Sequence, residues 1–381
     1  MIKKKLLIYT GKRGGTNHLI PIISEIKKSK KLDFKIIFSD MHMNKKFGLT
    51  KNEHPHLKKN SFYVNSLYKK DDHFFRTKSI SKGMNKNVEI IDKYKPDFII
   101  VLGDRSELFS ISIPSMIYNI PLIHIYGGDI TQGCTDESTR HSISMLSNFH
   151  FVSNYKSKKN LIKFGISEKN IYNIGLISLH QIKKSKKSSK EILKKLKLDD
   201  NKKLVVSILH PETWDYDNHK KNVDIYFKSL EKINENLILI YPCSDPGFDY
   251  IINKIKLLSH KNKKIKVFKN IEANYFYEIL QHSELLIGNS SSGILECGYL
   301  NLPVINVGNR QKGRFCDDNV IHEKYNFKFL NKRIKEALSK KRKKKLNSSF
   351  LYYNKKGLKK ILKFLNNVNK NQSYKQILNL N

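Results

Sequence analysis

Three consecutive serines, Ser290, Ser291 and Ser292, stand between an apolar run and a helix-like one in LIGNSSSGILECG, residues 286–298. A nucleophile, a phosphate cradle and a plain turn all fit such a run. A nucleophile elbow, G-x-S-x-G, needs glycine on both sides of its serine. Around Ser291 those positions hold Asn289 and Gly293, so the pattern fails. A Walker A loop needs Lys and then Ser or Thr after Gly293, and Ile294 and Leu295 follow instead. What remains is a strand, a hydroxyl-rich turn and a helix start, whose N–H groups and hydroxyls suit a diphosphate. Glu296, one turn in, is placed to accept hydrogen bonds from neutral hydroxyls such as those of a ribose. The alternative is an ordinary serine N-cap.

Other chemically able residues also follow apolar runs. Asp104 closes IIVLGD and is followed by Arg105 and Glu107. An N-cap for the next helix and a site carboxylate are equally good readings of that aspartate. The loop 126–141, YGGDITQGCTDESTRH, holds Asp129, Asp136, Glu137, Arg140 and His141. Its acidic pair, Asp136 and Glu137, also suits the N-terminus of the following helix. His210 and Glu212 open the loop after VVSIL. A lone histidine is more often structural, but one at the mouth of a strand facing an acid-rich loop has better odds of chemistry. GKRGGTNH at 11–18 is either an anion cradle or a tight turn, with Arg13 favouring phosphate.

The elements that must position these residues are apolar runs. LLIYT (6–10), FKIIFS (34–39), DFIIVLG (97–103), PLIHIY (121–126) and FHFVS (149–153) form one series. KLVVSIL (203–209), NLILIYP (236–242), KIKVF (264–268), ELLIGN (284–289) and PVINVG (303–308) form another. Helix spacing recurs between them, as at 105–118, 137–147, 221–234 and 291–300. Continuous Ile, Leu and Val runs alternating with helices predict parallel strands buried on both faces, hence a doubly wound α/β protein. The Lys/Ser-rich stretch 177–203 divides the series into Rossmann-like domains at about 1–180 and 200–345, with a terminal helix and tail over 346–381. In such sheets ligands meet the carboxyl ends of the strands, where the glycines, acids and histidines collect. Five of the eight arginines (13, 105, 140, 310 and 314) fall there too. In a lysine-rich chain this placement suggests bidentate donors for phosphate or carboxylate.

Composition narrows the function classes. The chain has 72 Lys plus Arg against 34 Asp plus Glu, a formal charge of +38. The lysines are scattered over segment ends and linkers, which reads as solvation in place of a polyanion-binding surface. The densest run, SKKRKKK at 339–345, reads as a solvated helix end. Four separated cysteines, with no C-x-x-C pair, support neither a zinc site nor a disulfide framework. The short apolar run at the N-terminus does not suit a signal peptide or membrane span, so a reducing cytoplasm is the expected compartment.

GNSSSGILECGYLNLPVINVGNRQKGR (288–314) resembles the C-terminal signature of the hydrolysing UDP-N-acetylglucosamine 2-epimerases. LGDRSE, HIYGGDITQGCTDESTRHSISMLSNFHF, LHPET and DMHMNKKFG resemble the same family in order and spacing, to about residue 325. The resemblance implies a GT-B-like pair of Rossmann domains facing a cleft that takes a UDP-sugar. It implies loss of the C2 proton as UDP leaves C1, then hydration of the glycal to give the free 2-epimer, with no metal or redox cofactor. Carried over by position, Asp104 and Asp136 match catalytic carboxylates, and His210 the histidine near the phosphates. Ser290 and Ser291 match the diphosphate serines, Glu296 the ribose glutamate and Arg310 the distal arginine. Arg13, His42, Arg105 and Arg140 match substrate-side positions. Many relatives carry glutamate where Tyr126 stands, which leaves Asp129 to supply the acid. The first loop, GGTN after Arg13, also departs, so a diacetamido-trideoxy sugar, as in the legionaminic-acid branch, competes with UDP-GlcNAc. A homo-oligomer, dimer or tetramer, is the family expectation. Competing readings are a non-hydrolysing 2-epimerase, a GT-B glycosyltransferase and a basic protein binding nucleic acid or a membrane surface.

Overall fold

The computed structural model describes residues 2–68, 70, 72–262, 264–340, 342 and 344–369. The chain divides into two compact units. One holds residues up to 130, 135–181 and 354 onward; the other holds 131–134 and 182–353.

The first unit is built on β1 (Lys4–Thr10), β2 (Leu32–Ser39), β3 (Ser61–Val64), β4 (Phe98–Leu102), β5 (Leu122–Ile125), β6 (Phe149–Val152) and β7 (Ile171–Asn173). They lie in the order β3-β2-β1-β4-β5-β6-β7, and all neighbours are parallel. The second unit has β8 (Leu204–Ile208), β9 (Asn236–Ile240), β10 (Ile265–Phe268), β11 (Leu285–Gly288), β12 (Val304–Val307) and β13 (Val320–Glu323). Their order is β10-β9-β8-β11-β12-β13, again all parallel. Both are doubly wound sheets whose strand order reverses once, between β1 and β4 and between β8 and β11. Crevices at such reversals are where open α/β sheets take ligands.

The central strands are buried because helices cover both faces. Alternate residues of β1 divide between two cores. Leu6 and Ile8 pack with Leu19, Ile22 and Ile26 of the helix Arg13–Lys28, while Leu7 and Tyr9 pack with Ile91 and Ile111 on the opposite face. Burying one such aliphatic side chain stabilises by roughly 1.5–3 kcal/mol. The three strands that the apolar pattern does not predict, β3, β7 and β13, are all sheet edges. An edge strand has one paired side and needs no continuous apolar run.

The terminal segment, read from the sequence as a separate helix and tail, is shared between the units. Residues up to 353 belong to the second, where Phe350 lies against Gly298; from 354 the chain belongs to the first. There the helix Gly357–Asn367 puts Ile361 and Leu365 into the core that contains β1. Lys4 Nζ donates to the Leu365 carbonyl at 2.8 Å, and also to that of Val368, so a cation closes the helix's negative end. A Cβ at Gly357 would stand 1.8 Å from the Ile174 carbonyl oxygen, so only glycine permits this docking.

SKKRKKK is also not uniformly solvated. Arg342 donates to the carbonyls of Asn301 (3.0 Å), Leu280 (3.0 Å) and Leu300 (2.6 Å), and to that of Ser283. It closes the end of the helix Ala273–His282 and the turn after Glu296. Burial draws its pKa down to about 10. A guanidinium spreads five donors in one plane, which a lysine in the same run does not.

Candidate active site

In the first unit, Asp104 leaves β4 through Gly103, whose φ of +90° turns the chain. The helical turn that follows takes Arg105 as its N-cap, with no side-chain cap bond, so Asp104 is not spent as a cap. Its Oδ2 lies 2.5 Å from Arg140 Nη2 and its Oδ1 lies 3.7 Å from Lys12 Nζ. Arg140 is fully buried, and its Nη1 donates to the Asp129 carbonyl at 3.0 Å. One guanidinium therefore joins the turns after β4 and β5. His124, on β5, donates through Nε2 to the Gly103 carbonyl at 2.7 Å, because a carbonyl can only accept; its Nδ1 then accepts from Ser144 Oγ at 3.0 Å.

Gly128, at φ +78°, brings the chain so close to the helix Tyr155–Lys163 that a Cβ would meet the Ser157 carbonyl at 2.3 Å. Asp129 follows, its Oδ1 accepting from Ser157 Oγ at 3.1 Å. Asp136 is the first residue of the helix Asp136–Met145, where the helix dipole favours negative charge. All three aspartates are buried, with residual exposures between 6% and 8%. His141 pairs with Glu137 at 3.5 Å, and burial lowers its pKa, with Arg140 adding to the shift.

Arg105 Nε lies 3.5 Å from Glu107 Oε2. Glu107 and Asp40 both pair with Arg76, from the helix His73–Tyr94. Burial drives the Glu107 carboxyl upward, with Asp40 adding to it against the pull of Arg105 and Arg76. Gly11 packs on this carboxylate; a Cβ there would stand 2.4 Å from its Cγ. Thr10, Gly11, Lys12, Gly15, Arg105 and Glu107 line a small open pocket at the switch point. His42 is buried behind it, its Nε2 3.1 Å from the hydroxyls of Thr10 and Thr16 and its Nδ1 2.6 Å from that of Thr50. Arg13 begins the helix Arg13–Lys28; its side chain lies outside the described residues.

Tyr126 has a φ of +68°, uncommon for an aromatic residue. Its hydroxyl accepts from the Ile177 N–H at 2.9 Å and pairs with His18 Nδ1 at 3.1 Å. Burial holds His18 neutral, with a pKa of about 3. Where the resemblance leads one to expect a carboxylate, this chain has an uncharged brace.

In the second unit, Ser290 caps the helix Ser291–Leu295, its Oγ accepting from the Ser292 N–H at 3.4 Å. The helix is half the length that the spacing predicts, and Glu296 lies in the turn that ends it. Asn289, fully buried, bonds reciprocally with the His210 backbone. Its Oδ1 accepts the His210 N–H at 2.7 Å and its Nδ2 donates to the His210 carbonyl at 2.9 Å. The Asn289 carbonyl accepts from Arg310 Nη1 at 3.4 Å and Gln311 Nε2 at 3.0 Å. His210 Nδ1 accepts from the Cys243 N–H at 3.0 Å, which puts the neutral ring's proton on Nε2.

The Arg310 loop is fixed from two further sides. Glu212 accepts from the Asn309 N–H at 3.1 Å and from Tyr325 Oη at 2.9 Å. Gly308, at φ +80°, makes room for that carboxylate, since a Cβ would come within 2.0 Å of Oε1. Within the same unit, Gln132 N–H donates to the Lys312 carbonyl at 2.9 Å, and a Cβ on Gly133 would stand 1.9 Å from the Asn309 oxygen. Asn289, Arg76 and His124 have no place in a motif-based list; only their partners, distant in sequence, reveal them.

The strand ends of the first unit thus gather carboxylates held by cations. Those of the second gather Ser290, Ser291, His210 and Arg310, hydroxyl, ring N–H and guanidinium donors suited to an anion, beside the carboxylates of Glu212 and Glu296. Among the described residues no group of three or more His, Cys, Asp and Glu is placed to hold a metal ion.

Comparison with known proteins gives this edge a relation. A family profile of UDP-N-acetylglucosamine 2-epimerases matches residues 24–366. The chain is 33% identical over 329 residues to the hydrolysing GDP/UDP-N,N'-diacetylbacillosamine 2-epimerase of Campylobacter jejuni, covering 86% of each chain. It is 30% identical to the hydrolysing UDP-N,N'-diacetylbacillosamine 2-epimerase of Legionella pneumophila, covering 88% of this chain and 89% of that one. Its structure is similar to that of Neisseria meningitidis UDP-GlcNAc 2-epimerase bound to UDP-GlcNAc, at TM-score 0.76 and 17% identity over 95% and 99% of the two chains. The fold is therefore GT-B-like, and the chain belongs to the UDP-N-acetylglucosamine 2-epimerase family.

Proposed function

We propose that the chain is a hydrolysing 2-epimerase whose substrate is a UDP-linked 2-acetamido sugar, with a UDP-2,4-diacetamido-trideoxyhexose preferred over UDP-GlcNAc. The observation that carries the reaction is the set of aspartates at the strand ends of the first unit, with Arg140 bonded to the Asp104 carboxylate and the Asp129 backbone. The diacetamido preference is supported by the similarity to the Campylobacter and Legionella enzymes.

In the first step a carboxylate takes the proton at sugar C2. The C2–H electron pair forms the C1–C2 double bond, and the C1–O bond breaks with its pair going to UDP. Asp104, Asp129 and Asp136 are the carboxylates assigned to the proton transfers. The leaving diphosphate carries the developing charge, which we assign to the Ser290 and Ser291 turn, the His210 Nε2–H and Arg310. Glu296 is assigned to the ribose hydroxyls. In the second step the C1–C2 double-bond pair takes a proton at C2 from a carboxylic acid on the opposite face, the water oxygen bonds to C1, and the proton that water loses passes to the carboxylate so formed, releasing the free 2-epimer.

The test is incubation with UDP-GlcNAc and with the UDP-diacetamido sugar in deuterated water. UDP release, faster with the diacetamido sugar, and one deuterium at C2 of a free sugar are expected. No UDP from either, or product without deuterium, defeats the reading. Among the described residues no helix is long and apolar enough to cross a membrane. A homo-oligomer, dimer or tetramer, in the cytoplasm completes the proposal; light scattering of the purified protein decides the oligomeric state, and cell fractionation the compartment.

A further inference from the structure

We infer that Asn289 is a positioning residue for UDP binding, acting by fixing the backbone of His210 and the guanidinium of Arg310 against one another. The inference rests on reading the strand ends of the second unit as the UDP site. Asn289 follows β11 at the switch point, and its own N–H donates to the Ile208 carbonyl at 3.1 Å, which carries the β11–β8 pairing one residue past the sheet. Its side chain then behaves as a second peptide group. An amide has an acceptor and a donor in one plane, and here they meet the N–H and the C=O of one residue, His210, at 2.7 and 2.9 Å. The main-chain carbonyl of Asn289 receives Arg310 Nη1 and Gln311 Nε2 from the loop after β12.

Three strand-end loops, after β8, β11 and β12, therefore meet on one fully buried residue. The His210 ring is held separately by the Cys243 N–H on Nδ1, leaving Nε2 as its donor. With backbone and ring both held, less of His210 has to be ordered when a phosphate binds, and such preorganisation raises affinity by reducing the ordering cost of binding. No shorter or charged side chain reproduces the arrangement. Aspartate accepts the His210 N–H but sets a second oxygen against the His210 carbonyl. Serine does not span both groups. The serines beside Asn289 meet the diphosphate; Asn289 sets where its other two partners stand.

The experiment begins with calorimetric UDP binding and UDP-sugar turnover by the wild type. A wild type that binds no UDP removes the site reading itself, and the inference with it. Given binding, Asn289→Asp, nearly isosteric, is compared with His210→Ala and with the double variant. Loss of a net hydrogen bond's worth of ordering predicts UDP affinity lower by about tenfold in Asn289→Asp. KM should rise more than kcat falls, and the penalty should be non-additive with His210→Ala. Asn289→Ser is read in the same way if the aspartate variant does not fold. A folded variant that binds UDP like the wild type, or penalties that simply add, overturns the inference, since a residue that only supports the fold lowers the melting temperature without coupling to His210.

Discussion

Arg140 Nη2 lies 2.5 Å from Asp104 Oδ2, and the same guanidinium donates through Nη1 to the Asp129 carbonyl 3.0 Å away. Arg140 comes from the helix that Asp136 begins, so one buried side chain relates the segments carrying all three aspartates. A carboxylate poised for proton transfer needs this kind of support, because a small displacement of a reacting group is costly.

Asp104→Asn tests the pairing. The amide keeps the size of the carboxylate and still accepts from Arg140, but it takes no proton. Turnover is expected to fall by roughly 10²–10⁴-fold, with UDP affinity retained if, as proposed, UDP is held by the second unit, since Asp104 lies in the first. Initial-rate kinetics and calorimetry on one preparation separate the two quantities.

Asp129→Asn asks whether this aspartate does proton chemistry in a chain whose Tyr126 is an uncharged brace. The Arg140 contact uses the Asp129 carbonyl and survives the substitution, and Ser157 Oγ still finds an acceptor. A loss of kcat on the order of 10²-fold is expected with the melting temperature little changed. Wild-type kcat in this variant would exclude Asp129 as the acid.

The architecture was legible in the sequence wherever burial forces composition. FIIVL and LVVSI are apolar at nearly every position because helices cover both faces of β4 and β8. SFYV and VIHE, at the edges, carry no such signature. The candidate residues were legible because they lie in the loops and helix starts that follow apolar runs, which is where an open α/β sheet gathers a ligand. Residues that act at a distance were not. Arg76 sits in the first turn of its helix, 31 residues before its partner Glu107, and nothing local distinguishes it from a solvated cation. Arg342 was hidden in a lysine run for the same reason. Asn289 entered the sequence argument only as the residue that spoils a nucleophile elbow, because a reciprocal bond to a residue 79 positions away leaves no local trace.

Arg342→Ala should be the most destabilising change in the Lys-rich run. It removes the guanidinium donors for the carbonyls of Leu280, Ser283, Leu300 and Asn301; the Leu280 carbonyl keeps a backbone donor, the Ser283 N–H. Hydrogen bonds from charged groups contribute about 1.5–3 kcal/mol each, and several fail together. Chemical denaturation is expected to lose at least about 3 kcal/mol, whereas Lys344→Ala, whose partner Glu284 is a surface ion pair, changes stability by less than about 1 kcal/mol.

Gly308→Ala couples stability to the Arg310 loop. The residue has φ +80°, and the new methyl meets Glu212 Oε1. Left-handed backbone costs a non-glycine residue about 1–2 kcal/mol, and the displaced Glu212 also releases the Asn309 N–H. The variant should melt lower and bind UDP more weakly, with the kcat of saturated enzyme nearly unchanged.

Acid stability should be governed by three buried histidines. Burial holds the pKa of His18 and His150 at about 3 and that of His124 at about 4, with a backbone bond to Gly103 opposing the shift in His124. Each is neutral in the folded chain and protonates near 6.5 when unfolded. The unfolded state therefore binds more protons below that pH. The stabilisation is complete above about pH 6.5 and is lost as pH falls toward the folded values, at about 1.4 kcal/mol per pH unit for each ring. Denaturant titrations from pH 8 to pH 4 should show this steep acid limb. His150→Leu removes one ring from the fully buried pair of cross-strand neighbours His124 and His150. It should leave the pH 8 midpoint nearly unchanged and make the acid limb shallower by about one proton's worth of slope. An acid limb of unchanged slope in that variant would mean that His150 does not titrate on unfolding.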